Sequence, residues 1–361
     1  MKKVLFSGGG TGGHIYPALA IRELLLERFP DLETAYAGQS EGMEGRIVGR
    51  IDGLPFLPVR SQGMPRSLSA KWLTFPFRNA AGFWDALSRM REFRPDLVVT
   101  TGGYVAFPVL ACARILGVPF VIHEQNAAMG VVNRIFAGSA RRVLLTYAEA
   151  AGALSERVVL TGNPVRRAFL QHAGGTSRFP KRNGQFWLLA VGGSGGAKTI
   201  NDVCIGLTRQ WLKDHPDIHL VHIAGERDHE RVRAEAASLP NYTLLPYLHE
   251  MKEAFDVADL LISRAGATIL AEIAVCGKPA ILVPFPFATD NHQEKNARAL
   301  ERQKAAKVIL DRDLKPASLA AEIERMSAPG VRNSMADAMR ASRPADVEKR
   351  ILVEIEPLLQ S

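Results

Sequence analysis

The chain has 361 residues, of which 47% are hydrophobic and 23% charged. That excludes a disordered chain and leaves room for two domains of ordinary size. The net charge of +8 is uneven: residues 1–170 hold 20 Lys and Arg against 13 Asp and Glu, and residues 171–361 hold 25 against 24. An acidic partner for the first half is therefore expected: nucleic acid, anionic lipid or a phosphorylated substrate. Cys112, Cys204 and Cys276 form no CxxC pair, which excludes a zinc ribbon, argues against a disulfide framework and points to a reducing compartment. No apolar run reaches the roughly 18–20 residues of a spanning helix, so any membrane contact is expected to be peripheral.

In chain order, short apolar runs bounded by Gly and Pro alternate with amphipathic stretches, the pattern of an α/β protein with parallel sheets and helical crossovers. A strand is predicted over 4–6, then the turn Gly8-Gly9-Gly10-Thr11-Gly12-Gly13-His14, then a helix over 17–28. Gly8, Gly10 and Gly13 satisfy GxGxxG. Glu33, however, precedes the next apolar run instead of following it, so the dinucleotide fingerprint is incomplete, and GxxxxGK[ST] is absent. Residues 60–94 carry a net charge of +5 interleaved with aliphatic and aromatic side chains. Apolar bulk beside cations suits an anionic bilayer surface, with Leu68, Lys71, Trp72, Leu73, Phe75, Phe77, Arg78 and Trp84 as the patch. A core-packing helix pair with a solvated basic face gives the same pattern. Aromatic and basic residues also serve single-stranded nucleic acid, but nothing else resembles a nucleic-acid module, and no nucleic-acid partner is expected.

Strands predicted over 97–100 and 120–122 end in Thr101-Gly102-Gly103-Tyr104 and His123-Glu124-Gln125-Asn126. Polar groups at the carboxyl ends of buried strands lie where open α/β sheets bind ligands; a hydrogen-bonded turn network is the plainer reading. Another strand is predicted over 142–145, and a domain boundary near 162–166 or in the polar stretch 172–185. The strand at 187–191 then runs into Gly192-Gly193-Ser194-Gly195-Gly196-Ala197. This GG[ST]GG pattern repeats the first turn 183 residues later, as two similar nucleotide-fold domains in tandem would. Helices are predicted over 200–212 and 230–238 around a strand at 220–223. The strand at 260–263 leads through Arg264-Ala265-Gly266-Ala267-Thr268 to a helix over 269–275 carrying Glu272. That carboxylate suits two ribose hydroxyls, or simply a helix start. The strand at 280–284 leads to Asp290-Asn291-His292-Gln293 at the start of a helix over 291–303, groups suited to sugar hydroxyls or to capping. Asp311-Arg312-Asp313 is a weak match to a metal-binding D-x-D pair. An amphipathic helix over 345–359 closes the chain.

Glycine-rich turns between strand and helix let backbone N–H groups and the helix dipole meet a phosphate. The two copies differ at one chemically decisive place, His14 against Ala197. The dipole at a helix start favours the neutral imidazole that a general base requires, although a capping or buried histidine also fits. The expectation is a division of labour: chemistry at the first turn, phosphate at the second.

Together these residues resemble one family. GGGTGGHIYPALA (8–20), TGGYVAFP (101–108), HEQN (123–126), GNPVR (162–166), GGSGGA (192–197), SRAGATILAE (263–272) and DNHQ (290–293) are similar, in order, to the motif series of the MurG family of N-acetylglucosaminyltransferases. The resemblance implies a GT-B fold of two Rossmann-like domains with parallel sheets facing a deep cleft, and suggests domains at 1–162 and 163–340, with 341–361 packing back on the first. It implies inverting transfer of N-acetylglucosamine from UDP-N-acetylglucosamine to the 4-hydroxyl of a lipid-linked muramyl pentapeptide, with no metal or other cofactor. The setting implied is the cytoplasmic face of the bacterial inner membrane, with other cell-wall proteins as expected partners. The nucleotide sugar is then expected at Thr11, Gly12, Gly13, Asn126, Arg166, Ser194, Gly195, Gly196, Leu248, Ala267, Thr268, Ile269, Leu270, Ala271, Glu272 and Gln293. His14 is the candidate base, with Tyr104 and Glu124 near the acceptor. Many members have Gln where Gly195 stands. A diacylglycerol glucosyltransferase-like enzyme and a UDP-sugar 2-epimerase are the alternatives.

Overall fold

The computed structural model describes residues 1–65, 71–152, 157–171, 178–180, 184–193 and 195–360. The chain forms two compact units, Met1–Arg167 with Pro344–Ser361, and Ala168–Arg343. The division follows Arg167, beyond residue 162, and Arg166 belongs to the first unit.

The first unit runs β1 (Lys3–Gly8), α1 (Gly12–Arg28), β2 (Glu33–Gly38), α2 (Met43–Val48), β3 (Phe56–Pro58), α3 (Lys71–Phe93), β4 (Leu97–Gly102), α4 (Ala106–Leu116), β5 (Phe120–Glu124), α5 (Val131–Phe136), β6 (Arg142–Leu145) and β7 (Val158–Leu160). Its strands form a parallel sheet in the order β3-β2-β1-β4-β5-β6-β7. Apolar residues cover both faces, which is why β1 and β4 read as unbroken apolar runs: Val4, Leu5, Phe6, Leu97, Val98 and Val99 are all fully buried. One helix, α3, occupies 71–93 with Pro76 inside it, in place of the alternative helix pair.

The second unit follows a one-turn helix, α6 (Arg167–Leu170). It runs β8 (Phe186–Val191), α7 (Lys198–Gln210), β9 (Ile218–Ile223), α8 (His229–Glu235), β10 (Tyr242–Leu245), α9 (Met251–Val257), β11 (Leu260–Ser263), α10 (Ala267–Cys276), β12 (Ala280–Leu282), α11 (His292–Arg302), β13 (Ala306–Val308), α12 (Pro316–Ser327) and α13 (Pro329–Ser342). Its parallel sheet has the order β10-β9-β8-β11-β12-β13. The last helix, α14 (Val347–Gln360), belongs to the first unit. It buries Val347, Ile351, Ile355 and Leu359 in the cluster that holds Val4, Phe6 and Ile15. Their four-residue spacing puts them on one helix face.

Strand order reverses at β1/β4 in the first sheet and at β8/β11 in the second. These switch points, where successive crossovers leave to opposite sides, are where doubly wound sheets open a crevice for ligands. Both glycine-rich turns leave the sheets there.

Candidate functional site

In the first unit the turns after β1 and β4 cross backbone to backbone. The Gly9 N–H donates to the Gly102 carbonyl at 3.3 Å. A Cβ at Gly103, whose φ is +83°, would stand 2.3 Å from the Gly9 oxygen, so only glycine fits. His14, in the first turn of α1, points back to this crossing. Its Nδ1 lies 2.7 Å from the Thr101 carbonyl and 2.9 Å from Gln125 Oε1. A carbonyl can only accept, so Nδ1 carries the proton and Nε2 is the nitrogen left to take one. Thr101 Oγ1 donates in return to the His14 carbonyl at 2.6 Å. Thr11 is exposed, Gly12 is buried and Gly13 half-buried. Thr11 precedes α1 without capping it, and the first turn holds no acidic residue.

An internal carboxylate reaches the first turn. Glu44, fully buried on α2, accepts from the Gly10 N–H at 3.2 Å and the Gln39 N–H at 3.1 Å. The Tyr104 hydroxyl donates to Gln39 Oε1 at 3.1 Å, and burial, with Glu44 nearby, raises its pKa, which keeps it a neutral donor.

The HEQN segment sorts by strand alternation. His123 and Gln125 face the same way. Glu124 faces oppositely and, fully buried, accepts from Asn126 N–H at 3.0 Å, Asn126 Nδ2 at 3.2 Å, Gly130 N–H at 2.9 Å and Asn133 Nδ2 at 2.8 Å. Its carboxylate holds together the segment over 126–133. Arg166 stacks on the Tyr16 ring of α1 with 4.7 Å to the centroid.

In the second unit, Gly192–Ala197 turns sharply after β8. Gly193 and Gly196 have φ of +87° and +74°, and a Cβ on Gly196 would lie 2.4 Å from the Ala224 carbonyl. Gly195 is exposed, and a Cβ there meets nothing within 4 Å. Ser194 lies outside the described residues. Helices α7 and α10 begin at Lys198 and Ala267 with neither a capping side chain nor an acid in the first turn. Glu272 is buried in the second turn of α10, which removes the reading of an exposed helix-start acid. Ala267 and Leu270 are buried, Thr268, Ile269 and Ala271 half-buried, and Leu248, after β10, is buried.

Two devices hold the turn between β11 and α10. Gln293 Oε1 on α11 accepts from the Ala265 N–H at 3.2 Å and the Phe285 N–H at 3.0 Å. Buried Arg264 donates to the Val283 and Pro284 carbonyls and pairs with Asp311 at 2.5 Å, while Thr199 Oγ1 donates to Asp311 at 2.9 Å. The carboxylate of the D-x-D match is thus a structural anchor. Asp290 and Asn291 both adopt left-handed backbone, φ +52° and +54°, with no side-chain cap on α11. Such strain in non-glycine residues clusters where ligands are held. Glu44, Gln39, Asn133 and Arg264 brace these turns, and the sequence assigned them no chemistry; Glu44 carries no local signal at all.

Residues 4–145 match the glycosyltransferase family 28 N-terminal domain, and residues 187–351 its C-terminal domain. The chain is 40% identical, over 97% of each chain, to the UDP-N-acetylglucosamine–N-acetylmuramyl-(pentapeptide) pyrophosphoryl-undecaprenol N-acetylglucosamine transferase of Desulfitobacterium hafniense strain Y51. It is 43% identical, over 87% of each chain, to the enzyme of the same name from Moorella thermoacetica. The crystal structure of Acinetobacter baumannii MurG superposes with a TM-score of 0.75 at 28% identity, covering 100% of this chain and 99% of that one.

The chain belongs to the MurG family. It has the two Rossmann-like domains of the GT-B fold that glycosyltransferases of this family share. The MurG family's relatives are named for a lipid-linked acceptor, which draws attention to α3. There Leu73, Phe77 and Trp84 are 75%, 76% and 66% exposed, Trp72 is exposed, Phe75 is half-buried and Arg78 is exposed. Leu68 and the Lys71 side chain lie outside the described residues. Asp85 is tied to Arg60 at 2.7 Å, which holds its carboxyl below the usual range, with Arg89 adding to the effect. Among the described residues no helix is long and apolar enough to cross a membrane.

Proposed function

We infer that this chain transfers N-acetylglucosamine from UDP-N-acetylglucosamine to the 4-hydroxyl of an undecaprenyl-pyrophosphoryl muramyl pentapeptide, with inversion and without a metal. The observation that carries the mechanism is the His14 ring, protonated at Nδ1 by its hold on the Thr101 carbonyl and left with Nε2 as a base. His14 takes the acceptor's hydroxyl proton as that oxygen attacks the anomeric carbon. The carbon–oxygen bond to UDP breaks, and the leaving diphosphate is met by the backbone amides of Gly195 and Gly196 with Ser194 and the starts of α7 and α10. Glu272 receives the ribose hydroxyls, and Arg166, Asn126, Leu248, Gln293 and the residues from Ala267 to Ala271 complete the donor contacts. Tyr104 serves the acceptor. Supporting metal independence, Asp311 is already paired with Arg264 and Thr199.

The exposed apolar and cationic face of α3 supports peripheral attachment to the cytoplasmic face of the inner membrane, where an anionic lipid acceptor resides. The deciding experiment is single-turnover transfer from UDP-N-acetylglucosamine to a synthetic lipid-linked muramyl pentapeptide, with and without chelator. UDP release with product of inverted configuration, unaffected by chelator, is expected. No transfer sinks the reading, and chelator sensitivity removes its metal-free part.

A further inference from the structure

The strongest unassigned feature is a line of buried side chains behind His14. His123 and Gln125 are fully buried, two residues apart at the end of β5, and so face the same side. His123 Nε2 is 3.0 Å from the Gly162 carbonyl, which can only accept, so Nε2 is the protonated nitrogen. Burial pushes the His123 imidazole down to about 4, so at neutral pH it carries one proton and its Nδ1 is an acceptor. Gln125 stands 3.0 Å from that Nδ1 and 2.7 Å from the His123 carbonyl. Two acceptors fix the NH2 end of the Gln125 amide toward His123, which turns Oε1 toward His14 Nδ1 at 2.9 Å.

The direction of every hydrogen bond therefore follows from the Gly162 carbonyl at one end. It agrees with what the Thr101 carbonyl requires independently at the other, 2.7 Å from His14 Nδ1.

We propose that His123 and Gln125 are positioning residues that hold His14 in the Nδ1-protonated tautomer and lock its ring, so that Nε2 keeps its lone pair for the acceptor proton. The proposal rests on the reading of His14 as the base. Free imidazole side chains favour the other tautomer, so a base at Nε2 gains from being held this way. Once Nε2 is protonated, Gln125 Oε1 and the Thr101 oxygen face the new cation's Nδ1–H, and no ring rotation is needed before the next cycle. Glu124, between the two, faces away and its carboxylate bonds to Asn126, Gly130 and Asn133 instead.

The tautomer is read directly by two-bond 1H–15N correlation on the full chain labelled with 15N-histidine, with His14→Asn identifying the peaks. The expected wild-type pattern at neutral pH is a pyrrole-type Nδ1 and a pyridine-type Nε2 for His14, and the reverse for His123. Gln125→Met keeps length and removes both amide functions. The Thr101 carbonyl remains as an acceptor, so the His14 signals should move part of the way toward the exchange average, and kcat should fall about tenfold or more, with KM for UDP-N-acetylglucosamine within about twofold of the parent. A wild-type His14 protonated at Nε2 overturns the proposal, and this needs no variant to fold. An unchanged His14 pattern in Gln125→Met overturns the part assigned to Gln125. The base assignment fails separately, if His14→Ala turns over normally while the wild-type tautomer is as stated.

Discussion

Glu44 Oε2 accepts the Gly10 N–H at 3.2 Å, so a side chain of the protein places its own negative charge at the first glycine-rich turn. Three glycines make room for it: a Cβ at Gly9, Gly38 or Gly42 would lie within 2.7 Å of the Glu44 side chain. The second turn receives no such carboxylate from any described residue, a structural counterpart to the difference between His14 and Ala197. Glu44→Ala leaves the half-buried Gly10 and Gln39 N–H groups without this acceptor. It should destabilise the fold by roughly 1–3 kcal/mol, read as a lower denaturant midpoint at constant slope; an unchanged midpoint contradicts the role.

His14→Ala should lower turnover by about 10²–10⁴-fold with little change in the affinity for UDP-N-acetylglucosamine, as loss of a general base does. Transfer kinetics and titration calorimetry on the same preparation check the two halves. Near-normal turnover removes His14 from the chemistry.

The departure at Gly195 is resolved by space. Because a Cβ there meets nothing and φ is not left-handed, Gly195→Gln should leave stability within about 0.5 kcal/mol of the parent. Gly196→Ala must adopt φ +74° against the Ala224 carbonyl, costing roughly 1–2 kcal/mol for the backbone alone. Thermal melts of the pair, with UDP binding beside them, give the contrast; equal losses refute it.

Two buried imidazoles set an acid limit to stability. Burial holds His123 at about 4, against the opposing pull of Glu124, and His222 at about 3, with Asp228 raising and His229 lowering it. Both folded values lie below the ordinary 6.5, so the unfolded chain binds more protons as pH falls from about 6.5, and stability falls with it. The loss is complete for His123 near pH 4 and for His222 near pH 3, on the order of 3 and 5 kcal/mol respectively. Denaturation at pH 7.5 and 5.0 tests the sign, and equal stability at the two counts against it.

Leu73→Glu with Phe77→Glu removes exposed apolar area from α3 and adds two negative charges. Partition onto anionic phospholipid vesicles should fall about tenfold or more, while transfer to a water-soluble acceptor analogue stays near that of the parent. Undiminished partition places attachment elsewhere.

Where the sequence was legible, the reason is local. Glycines at 8–13 and 192–196 mark strand-to-helix turns at any depth of context, and unbroken apolar runs such as 97–99 mark doubly covered strands. Strands of three residues, β3, β7, β12 and β13, carry too little periodicity to stand out, though β12 showed through its apolar run. The bonds of Glu124 to the segment over 126–133 were not legible because a motif does not say which way a side chain faces; alternation along β5 turns it from the side that His123 and Gln125 share. Glu44 sits on a six-residue helix, and its meaning arises only when α2 packs beneath a turn thirty-four residues upstream. The anchoring role of Asp311 was not legible in the D-x-D spacing, since its partner Arg264 is forty-seven residues away.

The placement of α14 has a consequence for how the protein comes into being. Val347, Ile351, Ile355 and Leu359 complete the core that begins with Val4 and Phe6. On the ribosome the whole stretch Ala168–Arg343 is made in between. The unit that begins synthesis first is thus the last to close, and its nascent sheet waits with an apolar groove over α1 until α14 emerges. Contacts so distant in sequence form late and slowly, so chaperone demand and sensitivity to C-terminal truncation should concentrate on the first-made half of the chain.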